Sequence, residues 1–129
     1  KQGIDAATRA VRWWVQGALA VPDNQVIWFG QSIGSGPCVQ VVAEHECTGS
    51  RFAGMVLQSP FKSIKATAKA MYGPCCGLSA LERWNSADAM KEVACPLLVL
   101  HGAKDEVIPV QHGRDLIAVH KERQDHSVF

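Results

Sequence analysis

Three short runs of this 129-residue chain are apolar on both faces: Gln25-Val-Ile-Trp-Phe29, Phe52-Ala-Gly-Met-Val-Leu57 and Pro96-Leu-Leu-Val-Leu100. Successive strand side chains point to opposite faces of a sheet, so runs of this kind belong where both faces are covered, as in a parallel sheet between helices. Helical patterns alternate with them. Residues 4 to 18 place Ile4, Ala7, Val11, Trp14, Val15 and Ala18 on one stripe, with Arg9, Arg12 and Gln16 turned away from it. Val39, Val42 and Ala43 recur at helical spacing after Pro37, and Val110 to Val119 repeats the pattern after Pro109. Ser127-Val-Phe129 reads as the start of a further strand, and Tyr72–Trp84 as an irregular stretch. The expected fold class is α/β, a doubly wound, mostly parallel sheet.

Composition excludes several classes. Hydrophobic residues are 47% and charged ones 19%, which suits a globular domain and not a disordered one. The net charge of +1 offers nothing to a polyanion, so no nucleic-acid partner is expected. The longest uncharged run, Asn24 to Ala43, contains Gly30, Gly34, Gly36 and Pro37 with several amides, and cannot be a membrane helix. The first twenty residues carry Lys1, Asp5, Arg9 and Arg12, which is no secretory signal. The cysteines Cys38, Cys47, Cys75, Cys76 and Cys95 are odd in number and lack C-x-x-C spacing, so neither zinc nor a disulfide framework is expected. Reduced thiols imply a cytoplasmic setting. No cofactor is implied.

The first apolar run feeds directly into Gly30-Gln31-Ser32-Ile33-Gly34, and a helical pattern follows. The bare G-x-S-x-G pattern would arise by chance in about a few per cent of chains this long. Its placement is what carries weight. A strand-to-helix turn with small residues on either side of Ser32 permits a tight, strained elbow that lifts the hydroxyl above the sheet edge. Gly30 and Gly34 are expected where strand and helix approach too closely for side chains. The hydroxyl also sits at a helix N-terminus, and the Ile33 N–H points where a substrate oxyanion would form. A serine nucleophile needs a base and the base an orienting acid. Asp105 lies in the loop past the third strand's carboxyl end, where doubly wound sheets build their sites. Asp88 follows Ser86 at a helix start and is accounted for by capping; Glu106, beside Asp105, is expected to point elsewhere.

Gly30-Gln-Ser-Ile-Gly34, Leu57-Gln-Ser-Pro60 and Val99-Leu-His-Gly-Ala-Lys-Asp-Glu-Val-Ile-Pro109 together resemble the α/β-hydrolase-domain serine hydrolases of the protein-depalmitoylase type, relatives of which are also classed with the prolyl-oligopeptidase group of serine peptidases. The likeness runs along nearly the whole chain and is weakest over Tyr72–Trp84. It implies an esterase or thioesterase with Ser32 as nucleophile, Asp105 as acid and the Ile33 N–H in the oxyanion hole. The implied substrate is a small molecule or an acylated protein, and membrane association would come through segments outside this sequence.

The same resemblance places the catalytic histidine after the last strand, beyond Phe129. His112 and His120 fall within a helical pattern, His126 stands before the expected strand, and His45 and His101 precede Asp105 against the chain order Ser, acid, His. There is room before Ser32 for one helix and one strand, so residues 1–129 read as an internal part of a single hydrolase domain, truncated at both ends. By themselves they are expected to hydrolyse esters only marginally. Two rivals stand beside this reading. A nucleotide-binding loop would need a third glycine in Gly34-Ser-Gly36-Pro-Cys-Val39, or a Gly-Lys-Ser/Thr, and neither is present. A non-catalytic hydrolase-fold binding domain would need no histidine at all.

Overall fold

The computed structural model describes residues 2–73 and 83–126. Helix α1 spans Gln2–Gly17, strand β1 Ile27–Gln31, α2 Ser35–Glu46, β2 Gly54–Gln58, α3 Ile64–Tyr72, the short α4 Ser86–Ala89, β3 Leu97–Leu100 and α5 Gln111–His126. The strands form one parallel sheet in the order β1-β2-β3. The α/β expectation therefore stands. The three apolar runs are the three strands; β1 and β2 are displaced toward their C-terminal ends relative to the apolar pattern, and β3 starts one residue later. Ser127–Phe129 and the pair Cys75-Cys76 lie outside the described residues.

Helix α3 lies between the apolar runs of β2 and β3. Its start is set locally, by the Ser63 side chain accepting from the Ala66 N–H at 3.1 Å, and its end by Gly73 at φ +86°.

The described helices cover one face of the sheet. On that face Met55 and Leu57 of β2 are buried against Cys38, Val39 and Val42 of α2, Leu116 of α5, and Met90 and Val93 of the segment entering β3. Trp28, Leu97 and Val99 close the same cluster from the outer strands. On the other face Ile27 and Phe29 of β1 and Leu98 and Leu100 of β3 are exposed. The expected two-sided cover is thus one-sided among the described residues. Burying a side chain of this size is worth roughly 1.5–3 kcal/mol, so the open face carries a large unrealised hydrophobic contribution.

Helix α1 differs from expectation more sharply. Its apolar stripe points outward: Ile4, Val11 and Trp14 are exposed. Its polar side faces the protein instead. Buried Asp5 accepts from the Trp84 indole N–H at 2.7 Å, Arg9 pairs with Glu44 of α2, and Arg12 pairs with Asp23 while its guanidinium lies 5.8 Å from the Phe52 ring centre. Gln16 also donates to Asp23.

A buried carboxylate ties the other end of α2 to the loops that enter the sheet. Glu46 is 3% exposed and accepts from the N–H groups of Phe52, Ala94 and Cys95. Backbone donors that would otherwise be orphaned in the core are satisfied by one side chain. It sets the N-terminal ends of β2 and β3 together, and so the height of their C-terminal ends.

Candidate active site

The parallel register brings the interesting residues to one edge. Gln31, Gln58 and Leu100 form the last paired rung of the three strands. The next residues in each chain segment are Ser32, Ser59 and His101.

Ser32 is exposed and its backbone is left-handed, at φ +48°. A non-glycine residue in this region is strained, and strain of this kind persists only where its surroundings dictate it. Here those surroundings are close contacts. A Cβ on Gly30 would lie 2.8 Å from the Cys38 Cβ and 2.9 Å from the Ser35 Cα. A Cβ on Gly36 would lie 2.7 Å from the Trp84 Cβ and 2.8 Å from the Phe61 Cζ. The strand and helix thus meet through Gly30, and the helix's first turn is pressed against Trp84 and Phe61 through Gly36. Gly34 is not the second close-approach glycine: its φ is −69° and a Cβ there would meet nothing within 4 Å. The fully buried Ser35 donates its hydroxyl to the Ser32 carbonyl at 2.7 Å, closing a short 3₁₀ turn over Ser32–Gly34. Ile33 is the second residue of that turn, a position whose N–H has no partner within it.

Asp105 stands in the loop after β3, half-buried. Its Oδ1 accepts from the N–H groups of Val107 at 3.0 Å and Ile108 at 2.9 Å. These donors, that of Ile108 first, hold its carboxyl below the ordinary value of 3.8, aided by the Ser59 side chain. Asp105 is therefore ionised wherever the protein is near neutral pH. Glu106 beside it is exposed. Asp88 sits in the first turn of α4, 65% exposed and paired with Lys91, while Asn85 caps that helix.

The four described histidine side chains are all engaged elsewhere. His101 is packed at the end of β3 with its side chain 4% exposed and Nε2 2.7 Å from the Ile108 carbonyl. His112 is buried, and its Nδ1 accepts the Lys62 N–H. His120 lies beside the Cys95 carbonyl and His45 edge-on to Phe52, both at the N-terminal end of the sheet. His126 is the last residue of α5, and the strand expected after it lies outside the described residues. Burial pushes the thiols of Cys38 and Cys95 up to about 12, which leaves both unreactive. Among the described residues no group of His, Cys, Asp and Glu is placed to hold a metal ion, and no helix is long and apolar enough to cross a membrane.

The whole chain, residues 1–129, matches the family model described as the prolyl oligopeptidase family. The chain belongs to that family. It is 34% identical over 110 residues to alpha/beta hydrolase domain-containing protein 17C of Mus musculus, covering 85% of this chain and 31% of that one. The Homo sapiens protein of the same name is equally similar, with 30% of its length covered. An uncharacterized protein of Mycobacterium tuberculosis is 28% identical over 130 residues, covering 99% of this chain and 44% of that one. The chain thus spans less than half the length of these relatives. Within the prolyl oligopeptidase family, the parallel sheet with its strand–serine–helix junction is an α/β-hydrolase fold, as the sequence motifs imply.

Proposed function

We propose that the chain is the part of a serine hydrolase that supplies the nucleophile, Ser32, one oxyanion donor, the Ile33 N–H, and the acid, Asp105. The observation that carries this is the strained, exposed backbone of Ser32 at the one junction where β1 passes into α2. The reaction is acyl transfer. The Ser32 Oγ attacks the carbonyl carbon of an ester or thioester, its proton passing to an imidazole. The tetrahedral oxyanion is held by the Ile33 N–H and the helix terminus behind it. Collapse expels the alcohol or thiol, which takes the proton back, and water then releases the acyl group by the same route. Asp105, kept ionised by its backbone donors, orients the imidazole and stabilises its charged form. None of the described histidines suits the role of base, so the imidazole is assigned to a residue outside the described ones.

The substrate class proposed is an acyl ester or thioester, including acyl groups carried on proteins. This rests on the resemblance; the name of the 17C relatives supports a hydrolase and no particular substrate. The family's description favours a second reading, cleavage of peptide bonds at proline.

The test is a fluorophosphonate probe on the full protein. Labelling should appear on Ser32 and vanish in Ser32→Ala, whose melting temperature should stay within about 2 °C because the side chain is exposed. Labelling that persists in Ser32→Ala removes the nucleophile from this reading. Turnover of a short-chain thioester without turnover of a prolyl peptide selects the first substrate class, and the reverse pattern selects the second.

A further inference from the structure

We propose that Trp84 is a positioning residue for the Ser32 turn and the Asp105 loop at once, and that Asp5, from α1, holds its indole in place. The inference rests on the reading of Ser32 as nucleophile and Asp105 as acid.

Three observations point the same way. The first is what the start of α2 rests on. Among the described residues the main core takes this helix from Cys38 onward, so its first turn, directly behind Ser32, has a different seat. At Gly36 the helix lies so close to two aromatic side chains that a Cβ would come within 2.9 Å of the Trp84 Cγ and 2.8 Å of the Phe61 Cζ. Ser35, the residue before it, is fully buried and donates to the Ser32 carbonyl, closing the turn that carries Ser32 and Ile33. Close-packed groups transmit displacement, so a shift of the indole reaches the serine and its oxyanion donor through Gly36 and Ser35.

The second is what the same side chains hold on their other side. Trp84, Phe61 and Ile108 are almost fully buried and form a small cluster apart from the main core. Ile108 is the residue whose N–H donates to the Asp105 Oδ1 at 2.9 Å. One cluster thus underlies both the nucleophile's turn and the acid's loop, and the spacing between them is set there.

The third is how Trp84 itself is fixed. Its backbone is left-handed, at φ +51°, a conformation a bulky side chain adopts only when its surroundings impose it. The Ser86 N–H donates to the Trp84 carbonyl at 2.9 Å, and the indole N–H donates to the Asp5 Oδ1 at 2.7 Å. Asp5 is 7% exposed, and this is the one side-chain hydrogen bond of its carboxylate among the described residues. Arg9, one turn further along α1, pairs with Glu44 instead. Burying a carboxylate against a single neutral donor costs stability. A strained backbone and a buried charge converge on one indole, and departures of this kind gather where a site has to be held in place.

The experiment is a kinetic double-mutant cycle in the full protein. Trp84→Phe keeps a ring beside Gly36 but loses the indole N–H; Asp5→Ala removes the acceptor, and Asp5→Asn keeps it. Each variant is assayed on a short-chain ester below its melting temperature, with rates referred to the folded fraction. Trp84→Phe and Asp5→Ala should each lower kcat by about tenfold with KM changed less than about twofold, because misplaced reacting groups cost rate and not substrate contacts. Asp5→Asn should stay within about twofold of the parent, since an amide oxygen still accepts from the indole. In the Trp84→Phe background, Asp5→Ala should cost less than about twofold, its partner being already gone. Unchanged kcat in Trp84→Phe or in Asp5→Ala, at whatever melting temperature, shows that the contact serves stability alone and overturns the proposal. An equal loss from Asp5→Ala in both backgrounds overturns it too, by showing that Asp5 does not act through the indole. Should Trp84→Phe fail to fold, the Asp5 variants decide: loss in Ala with retention in Asn supports the proposal, and equal behaviour overturns it. Fluorophosphonate labelling that persists in Ser32→Ala brings down the nucleophile reading itself. That outcome is read from a variant that touches neither Asp5 nor Trp84, so the two failures cannot be confused.

Discussion

The turn after β1 and the loop after β3 end at the same edge of one sheet, yet they are held by different physics. The Ser32 turn is held by shape. Gly30 and Gly36 leave no room for a Cβ against Cys38, Ser35, Trp84 and Phe61, and the left-handed serine is what that crowding leaves. The Asp105 loop is held by charge. A single carboxylate gathers the N–H groups of Val107 and Ile108, and the backbone around it has room to spare: even Gly102 would place a Cβ no closer than 3.8 Å to its neighbours. The difference suits the proposed roles: a rigid steric seat fits a nucleophile that must not move, and donors rather than packing keep an acid ionised and aimed. Variants that alter volume should therefore break the first region, and variants that alter charge the second.

The largest effect is expected at the loop. Asp105→Asn in the full protein should keep the fold, since an amide oxygen can still accept from Val107 and Ile108. The imidazole should then be left in the wrong tautomer, and kcat should fall by roughly 10⁴, the precedent from a serine protease of unrelated fold. Steady-state kinetics on a short-chain thioester, with melting curves alongside, separate lost chemistry from unfolding. Glu106→Gln and Asp88→Asn should each stay within about threefold, because both carboxylates are exposed and a surface ion pair contributes little. If either of them is the crippling change, the acid has been misassigned.

The elbow should respond to volume in the opposite way. Gly36→Ala forces a Cβ into the Trp84 and Phe61 side chains and should cost roughly 1–3 kcal/mol of stability, seen as a lower melting temperature with reduced probe labelling of Ser32. Gly30→Ala meets the Ser35 backbone as well and should be at least as damaging. Gly34→Ala is the contrasting case in the same pentapeptide. With φ −69° and open space, it should be neutral or stabilise by about 0.4–1 kcal/mol through the unfolded chain. Unfolding midpoints in which Gly34→Ala is the worst of the three would refute the steric account.

The smallest effect concerns acid. The Asp105 carboxyl sits below its ordinary 3.8 in the folded state, so the unfolded chain takes up its proton first as pH falls. Its contribution is complete above that ordinary value and is lost as pH drops through the lowered folded one. His112 is held below its ordinary 6.5 by burial, and its contribution is likewise lost on the acid side, beginning near that value. Stability measured against pH should therefore decline in two stages, with Asp105→Asn reducing only the lower one, to which Asp115, held down by Lys62, also contributes. A lower stage unchanged by that substitution would mean the loop is not held by charge.

Much of this was legible in the sequence because the signals are local. A strand running into Gly30-Gln-Ser-Ile-Gly34 and then a helix needs no distant contact to be recognised, and neither does an acid five residues past the end of an apolar run. Packing partners are a different matter. Gly34 and Gly36 are both glycines near a serine, and nothing in the pentapeptide says that Trp84, some fifty residues away in the chain, will fill the space above one and not the other.

By itself, then, the sequence determined where apolar area lies and which turns are tight, since hydrophobic period and glycine placement are properties of a few adjacent residues. It established a parallel α/β sheet and placed Ser32 at a strand–helix junction and Asp105 in the later loop. Tertiary structure decided which way each apolar surface faces. The stripe of α1 is as regular as a buried helix's, yet its inward side is the polar one, because Asp5, Arg9 and Arg12 find Trp84, Glu44 and Asp23 on elements that only folding brings alongside. Periodicity reports that a face exists. What covers it depends on long-range contacts that no local pattern encodes.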